Sequence, residues 1–166
     1  AEDVMNNFSI GFKKHWLEKM HKKLGLFGEE NEDEALITNL LTWMQQNKAD
    51  YTNTFIHLIK GDFSKKKLFQ DKTFLNWYQR WQKRLKQNKK TMKLSLNLMR
   101  ATNPLIIPRN HKVEEALDAA SINDNLVPMY DLLEVLKNPY TNQPIITAYQ
   151  NPPKPSGQVY KTFCGT

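Results

Sequence analysis

Phe8, Phe12, Trp16, Met20 and Leu24 recur at every fourth position, with Lys13, Lys14, Glu18, Lys19, Lys22 and Lys23 between them. A helix brings i and i+4 above one another, so this spacing predicts one apolar stripe on a helix. The pattern returns in Leu36, Ile37, Leu40, Leu41 and Met44. It returns again in Phe74, Trp77, Tyr78, Trp81 and Leu85, at i, i+3, i+4, i+7 and i+11. Each set suits a helix that buries one face and solvates the other.

Boundary residues divide these patterns. Gly25 and Gly28 bracket the end of the first helix. Asn31 and Glu34 are spaced for a capping box at the start of the second. Asp50 is placed to cap a short third helix carrying Tyr51, Phe55, Leu58 and Ile59, which Gly61 stops. Lys65 to Phe69 reads as a charged turn. Asn88-Lys89-Lys90 either breaks the fourth helix or carries it on into Met92, Leu94, Leu96, Leu98 and Met99, a locally alternating stretch that also admits a strand, though its long helical neighbours favour a helix. Pro104 and Pro108 forbid a helix interior, so residues 103–110 are expected to cross extended. Asn110 is the expected cap of a helix that holds Val113, Ala116, Leu117 and Ala120. Asp124 or Asn125 is the expected cap of another, with Pro128 in its first turn and Met129, Leu132, Leu133, Val135 and Leu136 inward.

After Pro139 the character changes. Pro144, Pro152, Pro153 and Pro155 predict an extended tail, and Tyr140, Ile145, Ile146, Tyr149, Tyr160 and Phe163 predict that it docks on a surface. The expected fold is all-α: an irregular helical domain of about six or seven helices over residues 1–139, followed by an extended Pro-rich C-terminal tail over 140–166.

Composition narrows the functional classes. The 166 residues, 40% hydrophobic and 25% charged, suit one ordinary globular domain. No apolar run approaches the roughly 20 residues of a membrane helix, so no membrane partner is expected. A single cysteine excludes an internal disulfide framework and suits a reducing, cytoplasmic setting. Ala1-Glu2-Asp3 is acidic with no apolar stretch behind it, which reads as a cut within a longer chain rather than a signal peptide.

The net charge of +7 is concentrated. Residues 60–93 hold twelve Lys and Arg against two Asp, on a body that is otherwise slightly acidic. Cations interleaved with Phe69, Phe74, Trp77, Tyr78 and Trp81 could bind nucleic acid, as a stand-alone helical binding module would. The helical spacing of those aromatics favours the other reading, a buried face backed by solvated lysines. The acidic run Glu29, Glu30, Glu32, Asp33 and Glu34 reads as a solvated cluster at a helix start. His15, His21, His57 and His111 lack ligand spacing, and there is no phosphate-binding glycine loop or kinase catalytic motif. No catalytic, cofactor-binding or metal-binding residue is therefore assigned. Arg109, in a rigid linker, is either an exposed loop arginine or a fork holding a carboxylate across a domain boundary. Cys164 is a lone thiol on the polar tail. It is either incidental or paired with a cysteine outside this sequence.

Several short segments carry a family resemblance in order along the chain: Lys23-Leu24-Gly25-Leu26, Ala49 to Phe55, Asn103-Pro104 with Arg109-Asn110, Glu114 to Ala120, Leu136 to Tyr140, and Phe163-Cys164-Gly165-Thr166. Together they resemble the C-terminal part of the selenoprotein O family, the pseudokinase-like protein adenylyltransferases. The resemblance implies a longer parent that transfers AMP from ATP, with Mg or Mn, to hydroxyl groups of protein substrates. Its nucleotide and metal ligands would belong to a kinase-like domain of the same polypeptide, preceding the part seen here. This chain would be a helical accessory region without activity of its own. Cys164 would match the near-terminal cysteine or selenocysteine that is thought to tie the tail to the kinase-like region.

Overall fold

The computed structural model describes residues 2–63, 66–142 and 146–153, with side chains at 8–63, 66–142 and 147–153. Among them there are eight helices and no strand. They are α1 (Glu2–Lys23), α2 (Asp33–Gln46), α3 (Tyr51–Lys60), α4 (Lys72–Gln87), α5 (Met92–Thr102), α6 (Asn110–Asn123), α7 (Val127–Lys137) and α8 (Ile146–Gln150), with a 3-10 turn at Lys67–Gln70 before α4. The all-α expectation holds, and seven of the helices are long. The short α8 lies in the segment expected to be extended: its residues fall between Pro144 and Pro152, leaving room for about one turn.

The main core gathers α1 to α5. Met20 of α1 and Leu24 just after it meet Leu36, Ile37, Leu40 and Trp43 of α2, Phe55 and Leu58 of α3, Phe74, Trp77, Trp81 and Leu85 of α4, and Met99 of α5. The apolar spacing of α4 is thus its buried face. The indole N–H groups buried with that face each find an oxygen. Trp77 Nε1 donates to the Leu36 carbonyl at 2.7 Å, Trp81 Nε1 to the Leu24 carbonyl at 3.0 Å, and Trp43 Nε1 to Asp71 Oδ2 at 2.9 Å. Buried donors left unpaired would cost more than the bonds contribute, so these contacts fix how the rings lie. Asp71 also accepts from the Phe74 N–H and so caps α4.

The stripe on α1 is only half covered. Trp16, Met20 and Leu24 pack inward, while Phe8 and Phe12 are 71% and 61% exposed and stack on each other.

A smaller core lies beyond the linker. Ile106, Ala116, Leu132 and Val135 are buried together, with Val113, Met129, Leu136 and Tyr149 against them. The chief helical neighbour of α6 is α7, so the two form a hairpin joined to the main body through the linker. The linker crosses extended as expected. Its Leu105 and Ile106 N–H groups both donate to the Pro139 carbonyl. Leu133, expected inward, is 50% exposed, and Leu117 is 56% exposed. Two short helices flanking one linker present too little facing surface to bury both sides of each.

Several expected caps differ. Helix α2 begins at Asp33 with Glu32 as its cap residue, and neither Asn31 nor Glu34 closes a capping box. Instead Asp33 Oδ2 reaches back to the Glu30 N–H at 3.0 Å. Asn110 is the first residue of α6 rather than its cap, and Asp124 ends α6 in the left-handed conformation. Asn125 Oδ1 accepts from the Val127 N–H, one residue before the position expected of a cap bond on α7. Asp50 does cap α3, Gly61 does end it, and Asn88 does break α4 from α5.

Candidate functional site

The polar chemistry of the body converges on two arginines, one of which the sequence disguises. Arg84 belongs to the basic segment, yet it is 6% exposed. It lies three residues beyond Trp81 and so shares the buried face of α4. Its partner is Asp33, 3% exposed, from the run that reads as a solvated acidic cluster. Arg84 Nε donates to Asp33 Oδ1 at 2.6 Å and a terminal nitrogen donates to Oδ2 at 3.0 Å. The same fork donates to Asn88 Oδ1 at 2.9 Å and to the carbonyls of Phe27 and Gly28, both at 3.3 Å. His21 Nε2 stands 3.3 Å from Asp33 Oδ2 without a hydrogen bond to it.

Asn88 extends the network. Its oxygen also accepts from the Phe27 N–H at 3.1 Å, and its amide donates to the Gly25 carbonyl and to Ser95 Oγ, both at 2.9 Å. One arginine and one asparagine therefore tie the loop after α1 to α2, α4 and α5. A cleft of about 390 Å³ opens beside the pair, walled by Asn31, Glu32, Asp33, Arg80, Lys83 and Arg84. Carboxylates and cations share its walls, so it carries no strong field of one sign.

Arg109 is the second anchor. Its terminal nitrogens grip both oxygens of Asp50, at 2.6 and 2.9 Å, and one also donates to the Gln150 carbonyl at 2.9 Å. It does hold a carboxylate with its fork, and that carboxylate belongs to this chain. Asp50 meanwhile accepts from the Asn53 N–H at 2.8 Å. Gln150 Nε2 donates to the Leu105 carbonyl and Asn53 Nδ2 to the Gln150 carbonyl. The start of α3, the linker and the end of α8 are thus one polar knot.

Burial pushes the Asp50 carboxyl up. The Arg109 hydrogen bonds, the Asn53 N–H and the nearby positive charges outweigh it, so its pKa lies below the usual 3.8. A carboxyl depressed by folding adds stability that is present above its unfolded pKa. That stability is lost as pH falls through the lower folded value. Thermal midpoints are therefore expected to drop on acidification below about pH 4, and Asp50→Asn should make that drop shallower. An unchanged acid profile in the variant would contradict this assignment.

The basic segment resolves into two sides. Phe69, Phe74, Trp77 and Trp81 are buried, while Lys66, Lys67, Lys72, Lys83, Lys86, Lys89, Lys90 and Lys93 are exposed. The buried rings are not available to stack on bases. Among the described residues no group of three His, Cys, Asp or Glu is placed to hold a metal ion, and no helix is long and apolar enough to cross a membrane. Cys164 lies outside the described residues.

Fold and polar anchors together define a helical scaffold built around two bidentate arginine–carboxylate pairs, one buried and one half-buried. A family model described as protein adenylyltransferase SelO matches residues 1–137. The chain belongs to that family. Relatives named protein nucleotidyltransferase YdiU are 49% identical in Nitrosococcus oceani, 46% in Alcanivorax borkumensis and 45% in Bacillus cereus, each over all 166 residues. The chain spans about a third of the length of these curated relatives, the matched part being 34% of each.

Proposed function

We propose that this chain is the C-terminal helical accessory part of a cytoplasmic protein adenylyltransferase. The observation that carries the reading is similarity over its whole length to about a third of relatives named as protein nucleotidyltransferases. In the reaction, a substrate protein's hydroxyl oxygen bonds to the α-phosphorus of ATP. The bond to the β-phosphate oxygen breaks, pyrophosphate leaves and the hydroxyl proton is released. ATP and its Mg or Mn would be held by a kinase-like domain outside residues 1–166, which is also this chain's principal partner. The role of residues 1–166 is mechanical: the Arg84 and Arg109 anchors keep the helical body rigid, and that body packs on the kinase-like domain. Cys164 is the redox-sensitive element, a thiol able to join the tail to a cysteine of the kinase-like part. Such a link would close a long loop and restrict the tail.

The test uses the intact polypeptide and ATP labelled on its α-phosphate. Label should transfer to protein, and the rate should change between oxidised and reduced enzyme. Cys164→Ser should remove that redox response. Absence of transfer would overturn the activity, and a Ser variant that responds to reductant like the parent would overturn the role of Cys164.

A further inference from the structure

The α6–α7 hairpin leaves much of its apolar surface outside. Leu126, which caps α7, and Tyr130 and Leu133 within it follow at intervals of four and three, which sets them along one side, and all are exposed. Ile122, 74% exposed, and Val127 flank the connection between the helices. Anchors at i, i+4 and i+7 are how an apolar helix face docks on a second surface, and exposed clusters of this kind mark interaction sites.

The surrounding charge describes the partner. Residues 110–137 hold six carboxylates against two lysines. Both lysines are engaged within the hairpin, Lys112 by Glu115 and Lys137 by Glu134. Glu114, Asp118, Asp124 and Asp131 have no cation beside them among the described residues. The complementary surface is apolar with a basic rim. The same face of a second copy would bring acid against acid, and the basic segment buries most of its aromatic rings. Two-thirds of the relatives' length lies outside this chain.

We infer that the Leu126–Tyr130–Leu133 face of the hairpin docks intramolecularly on a basic-rimmed apolar surface of the same polypeptide, outside residues 1–166. This rests on the reading of the chain as part of a larger adenylyltransferase. The test places the photoreactive residue p-benzoylphenylalanine at Tyr130 of the intact polypeptide and maps the cross-link by mass spectrometry. The expected product joins position 130 to a segment outside 1–166 within one chain. It should be lost when Leu126→Asp and Leu133→Asp are added. Should that pair reduce helical content, Leu126→Ser with Leu133→Ser replaces it. A product between two chains, links confined to residues 1–166, or a link undiminished by the substitutions would overturn the inference. Label transfer from ATP is measured on the same preparations. Transfer without the cross-link sinks the docking alone, whereas a cross-link without transfer sinks the assigned activity alone.

Discussion

Arg84→Ala is expected to destabilise the protein by about 3–5 kcal/mol, because it leaves a buried carboxylate without its counter-charge. Asp33 would keep its burial and lose both hydrogen bonds from the guanidinium. Asn88 Oδ1 and the carbonyls of Phe27 and Gly28 would lose a donor at the same time. Arg84→Lys should recover only part, since an ammonium cannot present a planar fork to two oxygens and a carbonyl pair together. Asp33→Leu combined with Arg84→Met should be milder than Arg84→Ala, because no lone charge is left inside. Urea unfolding followed by helical circular dichroism measures all three. A loss below about 1 kcal/mol for Arg84→Ala, the range of exposed pairs, would show that Asp33 is solvated after all.

Gly25→Ala is the second large effect, at about 2–5 kcal/mol from backbone strain and overpacking together. Gly25 has φ +69°. It closes α1 with the paired bonds of a Schellman ending, its own N–H to the Lys22 carbonyl and the Leu26 N–H to the His21 carbonyl. A methyl group there would come within 2.9 Å of Met99 Cγ and of the Ser95 carbonyl oxygen. The methionine can swing aside, but the backbone oxygen of α5 cannot. Gly28 is the internal control: its φ is +72°, yet nothing lies within 4 Å of an added Cβ. Gly28→Ala should therefore cost only about 1–2 kcal/mol of conformational strain. Equal midpoints for the two variants would contradict the close approach of α1 and α5.

These two sites show where sequence was informative and where it fell short. The buried face of α4 was legible because Phe74, Trp77, Trp81 and Leu85 keep helical spacing. Arg84 sits on the same face, and its position was the available signal that one cation in a basic run is interior. Charge type alone hid it, as it hid Asp33 among four neighbouring glutamates. Burial of either makes sense only when its partner, 51 residues away, is known. Arg109 was legible as a fork in a rigid linker. Its carboxylate was not, because Asp50 already had a sufficient local role as the cap of α3. Leu133 was expected inward on helical periodicity, which marks an apolar side without saying whether this chain supplies the surface that covers it.

The most direct test of the account compares label transfer from ATP to protein by the intact polypeptide and by its Arg84→Ala variant. Both are measured across the temperature range in which the variant's helical region melts and the parent's does not. If residues 1–166 form an accessory scaffold for the catalytic part, transfer by the variant falls in step with the loss of that helical structure, while the parent stays active. Undiminished transfer by a variant whose helical region has unfolded would contradict the account.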